Sequence, residues 1–264
     1  MKKLENFRQA GKELGKRLRL RTIPLAIKML KSEKEIPPRA KRPYKDFGHR
    51  LSTCQVFALS RREGQAIAAF KEDMWCPEPL IGYGIEEGLP YLLKNLVGYP
   101  SVFATPEACR IWHRSLPHLE RGKYRGIVSA PLSRANYIPE VIIIYCDPGQ
   151  LTQLLIAAHW KEGRPFQMAV SGHTACIYSI VPPIKNNDYQ VSLPCIGDRR
   201  NAMAQDDEII FSLPGSKIQD LLAGLRHRDH LGLGLPYPFR MMPEYILPNF
   251  YAGLADKLGI KKSK

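Results

Sequence analysis

Six consecutive apolar residues, Val141-Ile142-Ile143-Ile144-Tyr145-Cys146, constrain the fold of this chain more than any other segment. The run has the length of a β-strand and is far shorter than a membrane-spanning helix. Its residues do not alternate with polar ones, which is typical of a strand that is covered on both faces. The sequence therefore predicts a sheet that lies between layers of helices.

Helical and strand patterns alternate along most of the chain. Apolar residues recur every three or four positions from Leu4 to Leu18, which predicts a first helix. This alternation predicts an α/β or α+β fold in which helices cover a mixed sheet. No internal segment has the composition of a linker, so we expect residues 1–264 to form a single domain. Further strands are predicted at 22–30, 65–70, 126–132, 140–146, 166–170, 190–193 and 208–213, and further helices at 52–62, 84–96, 150–160 and 216–226 and from Thr105 onward.

The positive charge of the chain is concentrated near its N-terminus. The net charge is +14, and residues 1–50 contribute +11 of it, with 16 lysines and arginines against five acidic residues. We therefore expect a basic N-terminal helix and a basic loop over 31–50, packed on a nearly neutral body. Nucleic-acid binding through this segment is an alternative. It is disfavoured because few aromatic residues lie among the charges.

Neither a secretion signal nor an apolar stretch of membrane-spanning length is present in the sequence. We therefore expect a cytoplasmic protein. In that reducing compartment the six cysteines are expected to be free thiols that serve packing, metal binding or catalysis. The sequence has no phosphate-binding loop, no dinucleotide fingerprint and no Gly-x-Ser-x-Gly elbow, which disfavours the enzyme classes that use them.

Four cysteines are predicted at the ends of helices or strands, where functional residues gather. Cys54 follows Ser52, which with Gln55 forms a capping box at the start of a helix. Free backbone N–H groups and nearby arginines such as Arg50 favour a thiolate there, so we expect a lowered pKa for Cys54. Four thiolates would complete a zinc site or ligate an iron–sulfur cluster. The four are Cys54, Cys76, Cys176 and Cys195.

Three further residues near these cysteines are candidates for a functional site. His173 precedes Cys176 by three positions, a spacing that metal ligands use. Asp198 and Arg199 follow Cys195 in an expected turn, where a carboxylate beside a guanidinium group could hold an anion. Cys109 has His113 one helical turn away, and we interpret that pair as ordinary helix packing.

The chain resembles a known family, the archaeal and bacterial domain of unknown function number 169, over residues 25–238. The similarity rests on the positions of the four candidate cysteines, on the segments 139–150 and 193–199, and on Tyr237-Pro238. It implies that these four cysteines belong to a shared pattern, whereas Cys109 and Cys146 do not. The family has no settled activity. Its occurrence in anaerobes favours an iron–sulfur cluster over zinc.

The leading hypothesis is a metal centre, an iron–sulfur cluster with zinc as the alternative, held by the four candidate cysteines. Its role would be redox chemistry or activation of a small anion, with a small anionic molecule or a redox protein as partner. Arg50, His173, Asp198 and Arg199 would then face the substrate or support the ligands. A metal-free enzyme or binding protein is the alternative, in which Cys54 is the nucleophile and Arg50 and Arg199 clamp an anion.

Overall fold

The computed structural model describes residues 2–236, 253–254 and 257–259. The loop and short helix expected after Leu231 lie largely outside these residues, as do Tyr237 and Pro238. The described helices are α1 Lys2–Leu18, α2 Pro43–Phe47, α3 Thr53–Arg62, α4 Pro77–Gly82, α5 Leu89–Asn95, α6 Pro106–Ser115, α7 Pro148–His159, α8 Ala175–Tyr178, α9 Val181–Asn186, α10 Ile196–Ala202 and α11 Ile218–His230. The strands are β1 Leu25–Leu30, β2 Ile67–Phe70, β3 Gly126–Pro131, β4 Val141–Cys146, β5 Gln190–Ser192 and β6 Ile209–Pro214.

These strands form one sheet in the order β2-β3-β1-β4-β6-β5. Neighbouring strands pair antiparallel throughout, with Ile27 opposite Val141 where β1 meets β4 at the centre. Two isolated parallel bridges attach the loops before α2 and α3 to other segments. Lys41 pairs with Ile67 of β2, and Leu51 pairs with Met74. The expected fold class, a sheet covered by helices, is confirmed, but the sheet is antiparallel where a mixed sheet was expected.

Strand β4 contributes side chains to the hydrophobic cores on both faces of the sheet. Ile142 and Ile144 belong to the core that α1, α7 and α11 cover. Ile143 and Tyr145 belong to the opposite core, which α3, α4, α8 and α9 cover. All six residues of β4 are buried, so the prediction that this strand is covered on both faces is confirmed.

Helix starts follow the capping signals of the sequence. The Ser52 hydroxyl accepts a hydrogen bond from the Gln55 amide, and the Gln55 side chain accepts one from the Ser52 amide, which together begin α3. Asp147 and Gln150 form the same reciprocal pair at the start of α7. Helix α1 is also confirmed, and its buried stripe faces the sheet while its lysines and arginines lie toward solvent.

Four local predictions are wrong. Residues 166–170 form no strand, because β5 spans only three residues and leaves this segment largely exposed beside it. The helix expected over 84–96 begins only at Leu89, because Gly84 at φ 67° and the turn that follows separate α4 from α5. The loop over 31–50 contains the short helix α2, and the expected turn at 197–200 belongs to α10.

None of the helices within the described ranges combines the length and the apolar character that a membrane crossing requires.

Candidate functional site

The four cysteines predicted as ligands line a single cavity of about 230 Å³, which we call the thiol pocket. Each lies at the start of a different helix. Cys54 is the second residue of α3, Cys76 is the N-cap of α4, Cys176 is the second residue of α8 and Cys195 is the N-cap of α10. Residues separated by up to 141 positions in the sequence therefore share one cavity.

Contacts between the helices, and between the residues that precede them, bring the N-termini of α3, α4, α8 and α10 together. The bridge between Leu51 and Met74 aligns the residues that precede α3 and α4. Helix α10 packs on α3, and α4 packs on α8. The hydroxyl of Tyr83, just after α4, donates a hydrogen bond of 3.0 Å to the carbonyl of Cys176. The four thiols are thus positioned by packing between helices on the second face of the sheet.

Gly197 lies beside two of the four sulfurs. A Cβ atom at this position would be 3.6 Å from Sγ of Cys195 and 3.9 Å from Sγ of Cys54. Both are ordinary van der Waals distances, so the position tolerates a methyl group sterically. Glycine leaves that volume open next to the sulfurs, and a larger residue would occupy it.

Burial raises the pKa of all four thiols. The pKa of Cys54 rises to about 12, first because of desolvation and then because of the negative charge of Asp198. The hydroxyl of Ser52, 3.0 Å from Sγ, acts in the opposite direction but is the weaker effect. The expectation of a lowered pKa for Cys54 is therefore wrong, because the sequence does not reveal how deeply the helix start is buried. Desolvation is likewise the largest cause of the raised pKa at Cys76, Cys176 and Cys195.

Backbone N–H groups point at the sulfurs and partly offset this burial. The backbone amides of Asp198, Ala175 and Gly197 lower the pKa of Cys195, although burial is the larger effect. The amide of Ala175 belongs to α8, so this contact connects two of the helix starts. Such donors stabilise negative charge on sulfur and are a means by which proteins tune metal–thiolate sites.

Aromatic and imidazole rings form another wall of the thiol pocket. Trp112 packs against Phe103 and His173, with ring centroids 5.5 and 5.6 Å apart. His113 donates from Nε2 to the carbonyl of Val97 at 2.8 Å. The thiol of Cys109 donates to the same carbonyl at 3.3 Å, so Cys109 and His113 together anchor the chain that carries this wall.

Of the other candidates, His173 lines the thiol pocket and Asp198 lies behind it. Asp198 is almost fully buried, and burial raises its pKa to about 6. Its Oδ1 accepts a hydrogen bond of 3.0 Å from the hydroxyl of Tyr145, whereas Oδ2 has no partner among the described residues. The guanidinium group of Arg61 stacks on the Tyr145 ring, 3.9 Å from its centroid, and pairs with Glu208 at 2.9 Å.

The two arginines expected to clamp an anion do not line the thiol pocket. Nε of Arg50 donates to the carbonyl of Glu72 at 3.2 Å. Nη1 of Arg199 donates to the carbonyl of Gln205. Both guanidinium groups are thus turned to neighbouring loops, and the structure does not bring them together beside Cys54.

Comparison with known proteins identifies the family. The profile of DUF169, described as uncharacterised ArCR, matches residues 13–224, which include all four cysteines of the thiol pocket. This chain belongs to the DUF169 family. It is similar to the uncharacterised protein MJ0308 of Methanocaldococcus jannaschii, with 23% identity over 227 residues that cover 85% of this chain and 95% of the relative. No solved structure matches the chain.

The remaining cysteines of this DUF169 protein lie outside the thiol pocket. Cys146 ends β4 in the opposite core, with Sγ 3.6 Å from the carbonyl of Ile209. In the part of the chain that the structure describes, no three His, Cys, Asp or Glu side chains are placed to hold one metal ion. The four thiols therefore surround a shared space without the close packing that a single bound ion requires.

Sequence reasoning did not find Phe103, Trp112 or Tyr145 as parts of the site of this family member. Phe103 and Trp112 reach the thiols only because the chain after α5 folds back over α4 and α8. Tyr145 is part of an apolar strand and gave no separate signal. Gly197 could have been found, because a glycine two residues after a candidate ligand is typical of a close approach to a bound group.

Proposed function

We propose that this protein binds an iron–sulfur cluster through Cys54, Cys76, Cys176 and Cys195, and uses it in redox chemistry or in activating a small anionic molecule. The observation that carries the proposal is the presence of these four thiols, from four separate helix starts, in one cavity. Four cysteine thiolates are the usual ligand set of such clusters.

The dimensions of the site favour a cluster over zinc. Four thiolates around one zinc ion must each lie about 2.3 Å from the metal, which brings the sulfurs into close contact. The described residues contain no such compact group, and the space between the sulfurs belongs to a cavity of about 230 Å³. In a [4Fe–4S] cluster each thiolate binds a different iron, so the four sulfurs stand further apart than they do around zinc. The open volume beside Gly197 also favours a cluster over a single zinc ion, because a cluster needs more space between the sulfurs.

The electrostatics of the thiol pocket suit a group with negative charge. The backbone amides of Gly197, Asp198 and Ala175 favour negative charge on Sγ of Cys195, because they lower its pKa. Without a metal, burial holds the four thiols in their protonated form, since it raises each pKa. Metal binding would therefore release protons from the thiols. When bound, a cluster would supply an electron-accepting iron centre; activation of a small anion would require one iron to exchange its thiolate for that anion.

An accessible cavity beside the ligands supports an active role for this centre. A structural metal site is closed by its ligands, whereas a site that acts on substrates keeps an open position. Here the aromatic wall of Phe103, Trp112 and His173 faces the thiols across free volume that a small molecule could enter. His173 is half-buried there, and its ring nitrogens are able to hydrogen-bond such a molecule.

A reducing compartment, the cytoplasm, is part of this proposal. All six cysteines are free, and the four in the thiol pocket must stay reduced to ligate iron.

The experiment is anaerobic purification of the full chain, followed by an absorption spectrum and by iron, zinc and acid-labile sulfide analysis. Wild-type protein is expected to be brown, with iron and sulfide in equal amounts. Cys54→Ser and Cys195→Ser should lose most of both. Cys109→Ser and Cys146→Ser are matched controls, because these thiols are buried elsewhere, and should keep the cluster. A colourless wild-type protein, or equal losses in all four variants, would refute the proposal.

A further inference from the structure

A second cavity, of about 460 Å³, lies between the C-terminal half of α1 and the end of α3, and we call it the basic cleft. It shares no lining residue with the thiol pocket. No acidic and no aromatic side chain is among the described residues that line it. Five of its lining residues are cationic: Lys12, Lys16, Arg21, Arg61 and Arg62.

The charges of the basic cleft are only partly neutralised. Arg21 pairs with Asp207 at 2.7 Å and Arg61 pairs with Glu208 at 2.9 Å. Lys12 and Lys16 are exposed, and within the described ranges neither forms an ion pair. The two acids therefore leave a net charge of +3 around the cleft. A concave surface with this excess attracts anions and concentrates them.

Two arginines of the basic cleft also keep buried donors without an acceptor. The side chain of Arg61 is 1% exposed, and its Nε has no hydrogen-bond partner among the described residues. Nε of the adjacent Arg62 is likewise buried and unpartnered in the described structure. A buried donor left without an acceptor destabilises the fold. Nη1 and Nη2 of Arg61 and Nη2 of Arg62 already donate within the protein, so an anion with several oxygen atoms would supply the acceptor that each Nε lacks.

The shape of the cleft selects the kind of anion. Its α1 side is open at Gly15, where a Cβ atom would meet nothing within 4 Å. Its volume of about 460 Å³ exceeds that of a single phosphate and lies in the usual range of small-molecule sites. The absence of aromatic rings from its described lining gives no platform for stacking bases. A concave site also suits a compact ligand better than a duplex.

We infer that the basic cleft binds a small molecule through a diphosphate or triphosphate group. Lys12 and Lys16 would contact the outer oxygens, and Nε of Arg61 and Nε of Arg62 would donate to the inner ones. This site does not depend on the cluster proposed for the thiol pocket. It gives the basic N-terminal helix a specific ligand in place of general attraction to nucleic acid.

The test is isothermal titration calorimetry of the full chain with tripolyphosphate, in chloride buffer at fixed ionic strength. Sulfate and a 20-base-pair DNA duplex are titrated under the same conditions for comparison. The variant is Lys12→Glu/Lys16→Glu, with Lys12→Gln/Lys16→Gln as a milder second variant. Lys2→Glu/Lys3→Glu is the matched control, because it changes the net charge equally on the same helix but outside the cleft. Thermal unfolding and circular dichroism establish that each variant is folded.

Wild-type protein is expected to bind one tripolyphosphate per chain and to prefer it to sulfate. Affinity should fall by about tenfold or more in both cleft variants, equivalent to about 1.4 kcal/mol, and by less than about threefold in the control. Equal losses in cleft and control variants, or no binding beyond that of sulfate, would overturn the inference. A duplex that binds more tightly than tripolyphosphate would also overturn it, in favour of a nucleic-acid surface.

Discussion

The hydroxyl of Tyr145 donates a hydrogen bond of 3.0 Å to Oδ1 of Asp198, and this contact joins the central strand β4 to α10, the helix whose N-cap is Cys195. Both residues are buried, and Arg61 stacks on the other side of the Tyr145 ring. The thiol pocket is therefore attached to the rigid centre of the sheet through polar contacts as well as apolar packing.

Loss of this contact is expected to destabilise the fold. In Tyr145→Phe, neither oxygen of the buried Asp198 carboxyl keeps a side-chain donor among the described residues. A buried polar group without its partner costs about 1–3 kcal/mol, and we expect urea denaturation to show a loss of that size. Tyr91→Phe is the control, because Tyr91 is 66% exposed, and it should change the free energy of unfolding by less than about 0.5 kcal/mol. Equal effects would contradict this role of Tyr145.

Gly197→Ala separates cluster binding from stability. The added methyl group would lie 3.6 Å from Sγ of Cys195 and 3.9 Å from Sγ of Cys54, so it fits sterically but occupies the space beside both sulfurs. We expect the iron content after anaerobic purification to fall severalfold. The free energy of unfolding of the metal-free protein should stay equal or rise by up to about 1 kcal/mol, because alanine favours helix. Gly172→Ala, where the methyl group meets nothing within 4 Å, should retain iron. If Gly197→Ala kept its full iron content, the cluster would not occupy the space beside Gly197.

Two glycines on helix α1 should respond oppositely to alanine. A Cβ atom at Gly11 would lie 2.6 Å from the backbone nitrogen of Ser133, so the helix must move away from the turn that follows β3. We expect Gly11→Ala to lower the thermal midpoint, with a cost of about 1–3 kcal/mol. At Gly15 nothing lies within 4 Å, and Gly15→Ala should raise stability by up to about 1 kcal/mol. The same sign at both positions would contradict the packing of α1.

An ion pair between α1 and α11 should make stability depend on pH. Arg226 donates two hydrogen bonds to Glu13, at 2.8 and 2.6 Å, and these are the largest cause of the lowered pKa of Glu13. A lowered pKa stabilises the fold above the ordinary value of 4.5, and this stabilisation is lost as the pH falls through the lowered value. Glu13→Gln should therefore cost about 1 kcal/mol at pH 7 and nothing at pH 2 in urea titrations. Glu5→Gln, with a longer contact of 3.7 Å to Arg8, serves as the control and should change little. A cost that is independent of pH would refute the ionic contribution.

Local patterns predicted the parts of the fold that depend on neighbours in sequence. The capping box of Ser52 and Gln55 fixed the start of α3, and the unbroken apolar run fixed β4 as a buried strand. The expected strand at 166–170 failed because strand pairing depends on a partner, and β5 offers only three residues. Periodicity alone does not reveal whether a neighbouring strand is available.

The sequence predicted which cysteines form the site, but not the burial or the side-chain orientation that determine its chemistry. Cysteines at predicted element ends pointed to the thiol pocket, and the structure brings all four to one cavity. The pKa of Cys54 was predicted in the wrong direction, because it depends on desolvation that only the assembled fold determines. Arg50 and Arg199 are adjacent to the site in sequence, but their side chains turn toward neighbouring carbonyls instead.

X-ray absorption at the iron edge, on protein purified without oxygen, tests most directly whether the four convergent thiols hold a cluster. The account predicts an iron environment of sulfur atoms with further iron neighbours, which disappears in Cys54→Ser and persists in Cys146→Ser. Protein that contains no iron, or iron surrounded by nitrogen and oxygen atoms, would contradict it.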